Sequence, residues 1–145
     1  MSARFFIDTN IFAYMFDEGA PDKARIASRL VRDAIATQKG IVSYQVVQEF
    51  FQVAFRRFAT PFTPAEAEQY LTSVFRPLLS VHSSPALYVE ALRLRSTYRL
   101  PWYDSLIVAA ALEANCGQLY SEDFQHGQDF EGVRVRNPFF RNPTE

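Results

Sequence analysis

The chain has 145 residues, of which 48% are hydrophobic and 15% aromatic. This composition supplies enough apolar surface for a buried core, which excludes an intrinsically disordered protein, and the length is that of one ordinary domain. The 15 Lys and Arg residues nearly balance the 16 Asp and Glu residues, giving a formal net charge of -1, so any contact with nucleic acid must come from a local basic patch.

Short apolar runs alternate with amphipathic helical patterns along the chain. Apolar runs and turn signals predict strands at residues 4–8, 40–43, 78–81, 118–120 and 133–135. Three- and four-residue apolar spacing with capping residues predicts helices at about residues 11–17, 21–40, 43–58, 63–77, 84–98 and 103–115. Because strands alternate with helices and no linker or repeat interrupts them, we expect residues 1–145 to form a single α/β domain. Its expected architecture is a three-layer α/β/α fold, with a central, mostly parallel sheet of four to five short strands flanked by helices.

Cys116 is the only cysteine, so an intrachain disulfide is excluded and a reducing compartment is expected. The N-terminal residues reach Asp8 after too few apolar positions for a signal peptide, and no segment has the length of uninterrupted apolar sequence that a spanning helix needs. We therefore expect a soluble, cytoplasmic protein without a membrane partner.

Acidic residues fall where the strands of such a sheet end. Asp8 closes the first predicted strand, Asp123 follows the fourth, and Asp104 lies in the first turn of the helix that leads into the fourth. Glu49 lies in the helix after the second strand. Because the carboxyl ends of parallel strands share one edge, we expect the four side chains to meet there. Each alone could cap a helix or hold a turn, but four adjacent carboxylates repel one another unless a divalent cation neutralises them.

The motifs around these acids resemble those of the PIN-domain ribonucleases. They are FIDTN at Asp8, VVQEF at Glu49, YDSLIVAAAL at Asp104 and YSEDF at Asp123, and the resemblance extends to the final VRVRNPF. Within that family the closest likeness is to VapC-type toxins of type II toxin–antitoxin pairs. The resemblance implies a PIN-like fold and an acidic pocket in which the four acids bind metal and act in catalysis. It also implies that Asn10 and Ser121 support the acids or orient the substrate, although capping of a helix or turn explains both equally well.

Carboxylate ligands select Mg²⁺ or Mn²⁺ over Zn²⁺, which prefers the imidazole and thiolate groups that are scarce in a chain with 2 His and 1 Cys. The resemblance therefore implies a Mg²⁺- or Mn²⁺-dependent endoribonuclease that hydrolyses RNA phosphodiester bonds. RNA also requires a positive surface. The best candidate is the helix face of Arg25, Arg29 and Arg32, for which a solvated charged face is the alternative. Arg56 with Arg57, and the cluster of Arg93, Arg95 and Arg99, are alternatives. A further alternative is that Arg134, Arg136 and Arg141 flank the acidic pocket.

The resemblance further implies partners: a cognate antitoxin protein and a second copy of the chain in a homodimer. Two other functions stay open at this point. A PIN-fold RNA-processing nuclease outside toxin–antitoxin systems would have the same acids, and a non-catalytic interaction module could use the same fold. The role of His126, close to Asp123 in sequence, is also open.

Overall fold

The computed structural model describes residues 4–141, so the two ends of the expected 1–145 domain lie outside the described residues. Its strands are β1 (Phe5–Ile7), β2 (Gly40–Ser43), β3 (Leu79–Val81), β4 (Gln118–Tyr120), β5 (Asp129–Phe130) and β6 (Val133–Arg136). They form one six-stranded sheet in the order β3-β2-β1-β4-β6-β5. Only β5 is antiparallel, and it pairs with β6. The expected mostly parallel sheet is confirmed.

Helices flank this sheet. They are α1 (Thr9–Tyr14), α2 (Pro21–Thr37), α3 (Tyr44–Arg56), α4 (Pro64–Tyr70), α5 (Arg76–Leu78), α6 (Pro85–Tyr98) and α7 (Trp102–Glu113). Every residue of α7 from Ser105 to Ala111 is buried, because this helix is enclosed between the sheet and α6. Within residues 4–141, no helix is both long enough and apolar enough to cross a membrane.

The predicted number of strands, four to five, was wrong by one, because β5 has only two residues. It forms a hairpin with β6 through Glu131 and Gly132, both of which have positive φ angles of 55° and 104°. Two successive positive φ angles are typical of the tight turn that joins antiparallel strands. A two-residue strand has too few positions to display the alternation on which strand prediction depends.

The helix predicted over residues 63–77 is interrupted in the structure. Thr63 and Glu66 form a reciprocal capping box at the start of α4. A wide π-helical turn over Leu71–Phe75 then separates α4 from α5, which contains Pro77. The π-turn directs Phe75 into the core, where its ring lies 5.2 Å from that of Phe50.

The order of the strands creates a crevice at one edge of the sheet. From the central strand β1 the chain moves through β2 to β3 on one side, and it later returns to place β4 and β6 on the other side. The carboxyl ends of β1 and β4 therefore lie side by side where the strand order reverses, and such a switch point is where open α/β sheets bind ligands.

Candidate active site

Asp8 follows β1 at the switch point and is 4% exposed. Its Oδ1 accepts a hydrogen bond from the backbone N–H of Thr9 at 2.8 Å, so it also caps α1, as the simpler interpretation of its position predicted. Its Oδ2 accepts a hydrogen bond from the Ser121 hydroxyl at 2.7 Å. Burial raises the pKa of Asp8 from 3.8 to about 7; the two hydrogen bonds oppose this rise, and the negative charges of Asp123 and Glu49 add to it.

Ser121 joins two of the predicted acids. Its hydroxyl donates to Asp8 and accepts a hydrogen bond from the backbone N–H of Asp123 at 3.0 Å. Because Ser121 follows β4 and Asp8 follows β1, this short chain of hydrogen bonds fixes the two strand ends to each other. The supporting role of Ser121 in catalysis stays a prediction.

Glu49 reaches the same edge from α3 and is partly buried. Its Oε1 accepts hydrogen bonds from the Thr9 hydroxyl at 3.3 Å and from the Gln45 side-chain amide at 3.1 Å. Burial raises the pKa of Glu49, the two hydrogen bonds oppose the rise, and the charges of Asp123 and Asp104 add to it. Glu49 is therefore held by neutral donors while it faces other carboxylates.

Asp104 lies in the first turn of α7 and is partly buried, whereas Asp123 is exposed in the loop after β4. Burial, and then the charge of Asp123, raises the pKa of Asp104. The charge of Asp123 thus acts on Asp8, Glu49 and Asp104 alike. The structure brings the four predicted acids to one edge of the sheet, where each carboxylate is repelled by at least one other.

Across residues 4–141, no three Asp, Glu, His or Cys side chains converge closely enough to make a ready-made metal cage. A cage is not what Mg²⁺ needs, because this ion keeps several waters and binds through one or two carboxylates. The donors available are carboxylate oxygens, which suit Mg²⁺ and Mn²⁺ and do not suit Zn²⁺. The residues at this edge therefore fit a hard divalent cation.

Asn10 lines a cleft of about 390 Å³ between α1 and α3, which Ala13, Val53 and Arg57 also line. Both polar atoms of its side chain are buried and have no hydrogen-bond partner within residues 4–141. A buried polar group without a partner costs about 1–3 kcal/mol, so this amide is suited to a bound water or a ligand. Its side chain makes no hydrogen bond with the four acids, and its supporting role stays a prediction.

Glu122 anchors the loop between Ser121 and Asp123, a contact that sequence reasoning missed. It accepts a hydrogen bond from the Tyr14 hydroxyl at 2.5 Å, and its other oxygen lies 2.6 Å from Lys23 Nζ. Lys23 also donates to the Tyr14 hydroxyl at 3.2 Å and lies 4.6 Å from the centre of the Tyr14 ring. The loop is therefore fixed to α1 and α2. Glu122 lies about a hundred residues from Tyr14 and Lys23 in the sequence, so no local pattern predicts their contact.

The predicted basic face of α2 leads away from the acids. This helix begins at Pro21, its first turn contacts Glu122 through Lys23, and it ends at the opposite edge of the sheet, before β2. At 1.5 Å per residue, Arg32 lies about 14 Å along the helix from Lys23. Arg25 forms an ion pair with Asp22, while Arg29 and Arg32 line a shallow cavity of about 660 Å³ beside Pro138. Their RNA-binding role stays a prediction.

His126 is held by its own loop. Its Nδ1 accepts a hydrogen bond from the backbone N–H of Asn137 at 3.1 Å, and its ring stacks on Phe140 with the ring centres 4.1 Å apart. These contacts give His126 a structural explanation.

Comparison with known proteins agrees with this geometry. The family model for the PIN domain matches residues 5–128. The chain belongs to the PIN-domain family. The predicted resemblance to that family is confirmed, and with it the PIN-like fold. A comparison with curated proteins gave no match.

Several solved structures share the fold of this PIN domain. A toxin–antitoxin complex from Klebsiella pneumoniae has a TM-score of 0.67 and 19% identity, covering 94% of this chain and 98% of that chain. VapC20 of Mycobacterium tuberculosis, described as a sarcin–ricin loop cleaving toxin, has a TM-score of 0.61 and 19% identity, covering 82% of this chain and 89% of its own. FitAcB of Neisseria gonorrhoeae has a TM-score of 0.60 and 16% identity, covering 92% and 97%. At these identities the likeness concerns the fold.

Proposed function

We propose that this PIN domain is a metal-dependent endoribonuclease that hydrolyses RNA phosphodiester bonds and is the toxin of a toxin–antitoxin pair. The observation that carries the proposal is the group of carboxylates at the switch point, where the charge of Asp123 raises the pKa of three other acids. Holding unneutralised carboxylates together costs free energy. Perturbed acids in a crevice are characteristic of functional sites, whereas acids that serve stability are paired with cations.

The residues that would hold Mg²⁺ or Mn²⁺ are Asp8, Glu49, Asp104 and Asp123. When bound, such an ion lowers the pKa of a coordinated water and neutralises the charge that grows on the phosphate. The chain supplies the support for its own ligands. Ser121 and the backbone of Thr9 donate to Asp8, which favours its ionised form, and the side chains of Thr9 and Gln45 do the same for Glu49. Asp123 stays exposed at the opening of the crevice.

The toxin–antitoxin assignment draws on the structural neighbours. One of them is a toxin–antitoxin complex and another is described as a sarcin–ricin loop cleaving toxin, and both share this fold over most of their length. We therefore propose RNA as the substrate, a cognate antitoxin as the inhibitory partner, and the cytoplasm as the site of action. We also propose a homodimer. Light scattering after size-exclusion chromatography tests the dimer: a single peak at the monomer mass over a wide concentration range would contradict it.

The decisive experiment incubates the purified chain with tRNA, ribosomal RNA and messenger RNA in Mg²⁺ or Mn²⁺ and maps the cut ends. We expect EDTA to abolish cleavage. Asp8→Asn and Asp104→Asn should each reduce the rate by more than about 100-fold, because even residues that only support metal ligands contribute 10- to 100-fold. Asp33→Asn, which changes an exposed aspartate on α2, is the matched control and should cleave at the wild-type rate.

The outcomes separate the alternatives. RNA left intact by the folded wild-type chain in both metals would favour a non-catalytic interaction module. Cleavage that no product of a neighbouring reading frame inhibits would favour a processing nuclease outside toxin–antitoxin systems. Wild-type rates in Asp8→Asn, with contaminating nuclease excluded, would remove Asp8 from the site.

A further inference from the structure

A groove along α3 opens directly beside Glu49. It has a volume of about 460 Å³, and its polar lining is formed by Gln45, Gln48, Glu49, Gln52, Arg56, Arg57 and Tyr103. Because Glu49 belongs both to this groove and to the acid cluster, anything that lies in the groove also lies next to the candidate active site. The sequence-based prediction named Glu49, Arg56 and Arg57, which line the α3 groove, but not its three glutamines, which the pattern QVVQEFFQ displays.

The polar residues of the α3 groove form a continuous row. Gln45, Glu49, Gln52 and Arg56 follow one another at intervals of four, three and four residues, and that spacing places side chains along one face of a helix. From Glu49 to Arg56 the row extends about 10 Å along the axis. This part of the row therefore extends from Glu49, in the acid cluster, to the cationic side chain of Arg56.

The side chains of the α3 groove match the parts of a nucleotide. The guanidinium groups of Arg56 and Arg57 are exposed and have no hydrogen-bond or ion-pair partner anywhere in residues 4–141, so both are free to contact phosphate. The ring of Tyr103 is 66% exposed beside Asp104, which is typical of a surface on which an unpaired base stacks. The side chains of Gln48 and Gln52 offer both donors and acceptors to base edges.

The neighbouring cleft between α1 and α3 has a different character. Its lining includes Phe16, Phe58, Asp17 and Glu18. Arg57 lines both spaces, so this cleft combines apolar rings with two negative charges and one positive charge. Phosphate groups are repelled by such a cleft. In the α3 groove the two arginines outnumber the single glutamate, and a metal ion at Glu49 would make the balance more positive still. Charge therefore favours the α3 groove for a polyanion.

We propose that the α3 groove binds the single-stranded RNA next to the scissile phosphate, with Arg56 on a phosphate, Tyr103 stacked on a base, and Gln48 and Gln52 on base edges. The proposal rests on the proposed ribonuclease function and adds to it which surface holds the substrate. It also replaces the α2 arginines as the main contact, since they lie on a surface that leads away from the acids.

The test measures binding without cleavage. A fluorescently labelled 12-nucleotide single-stranded RNA of mixed sequence is titrated with the chain in EDTA and followed by anisotropy at several salt concentrations. We expect Arg56→Ala to weaken binding several-fold at low salt and to reduce the slope of log affinity against log salt by about 0.7. Tyr103→Ala should weaken binding at least fivefold, whereas Tyr103→Phe, which keeps the ring, should bind as the wild type does.

Arg76→Ala is the matched control, because Arg76 is an exposed arginine on α5, which leads into the start of β3 and so lies at the sheet edge opposite the acids. Thermal melts establish that each variant is folded. Wild-type affinity in both Arg56→Ala and Tyr103→Ala would overturn the proposal. An equal loss in Arg76→Ala would also overturn it, because it would indicate general electrostatic attraction. If the wild type cleaves RNA in Mg²⁺ while the groove variants bind RNA normally, the proposed role of the α3 groove is contradicted but the proposed ribonuclease function is not. If RNA binding depends on the groove but no RNA is cut, the ribonuclease function is contradicted but the role of the α3 groove is not. No RNA binding at all overturns the groove proposal.

Discussion

Burial of Asp8 makes the free energy of unfolding of the metal-free protein depend on pH. The pKa of Asp8 is 3.8 in its ordinary surroundings and about 7 in the folded chain. Between these values the folded protein holds a proton that the unfolded chain has released, so the free energy of unfolding falls as the pH rises. One pH unit corresponds to about 1.4 kcal/mol, so the total loss attributable to Asp8 is about 4 kcal/mol and is complete once the pH is above 7.

Urea unfolding in EDTA at several pH values between 5 and 8 measures this loss. The free energy of unfolding of the wild type should fall by about 3 kcal/mol over that range, because only part of the interval between the two pKa values of Asp8 lies above pH 5. Asp8→Asn carries no charge at any pH, so its curve should be much flatter and the variant should be the more stable protein at pH 8. Asp123→Asn removes the same charge from an exposed position and should keep most of the wild-type slope.

Divalent metal should reverse the order at pH 8. Binding to the folded state alone adds RT ln(1 + [L]/Kd) to the free energy of unfolding, about 2.7 kcal/mol at a metal concentration 100 times the Kd. We expect Mg²⁺ or Mn²⁺ to stabilise the wild type and to leave Asp8→Asn unchanged. The reasoning is refuted if Asp8→Asn has the same pH slope as the wild type in EDTA, because the slope would then come from other groups.

Three further substitutions test how the site is supported. Ser121→Ala should destabilise the protein by about 1.5–3 kcal/mol at pH 8, where Asp8 is charged, and by less at pH 5; equal losses would contradict a hydrogen bond to an ionised carboxylate. Gly40→Ala should lower the free energy of unfolding in urea by about 1–3 kcal/mol, because the new Cβ would lie 2.3 Å from that of Ala34. An unchanged urea midpoint would show that α2 can shift freely. Phe50→Ala should cost about 3–5 kcal/mol, since its fully buried ring contacts several other aromatic rings, and a loss below 1 kcal/mol would mean that the core closes around the gap.

The local pattern of the sequence identified most of the fold and the positions of the acids. Apolar runs located β1, β2, β3, β4 and β6, and the alternation with helices indicated a parallel sheet. The parallel sheet in turn predicted that the acids lie together, because the residues that follow parallel strands share one edge of the sheet. Asp8, Asp104 and Asp123 could therefore be grouped from sequence although they are far apart in the chain. The two-residue β5 could not be predicted from the sequence, since its pairing depends on a hairpin turn and not on a pattern of apolar residues within the strand.

Only the tertiary structure decided what surrounds each acid. The burial of Asp8, the hydrogen bond from Ser121 and the contact of Glu122 with Tyr14 and Lys23 join segments separated by about a hundred residues. The continuity of the α3 groove with Glu49 also depends on how α3 packs beside α1 and α7. The sequence by itself determined which side chains reach the edge of the sheet, because strand direction is encoded by local pattern. The environment that sets their pKa values and opens the adjoining groove was decided by packing, because burial and repulsion depend on distances between segments that no local pattern records.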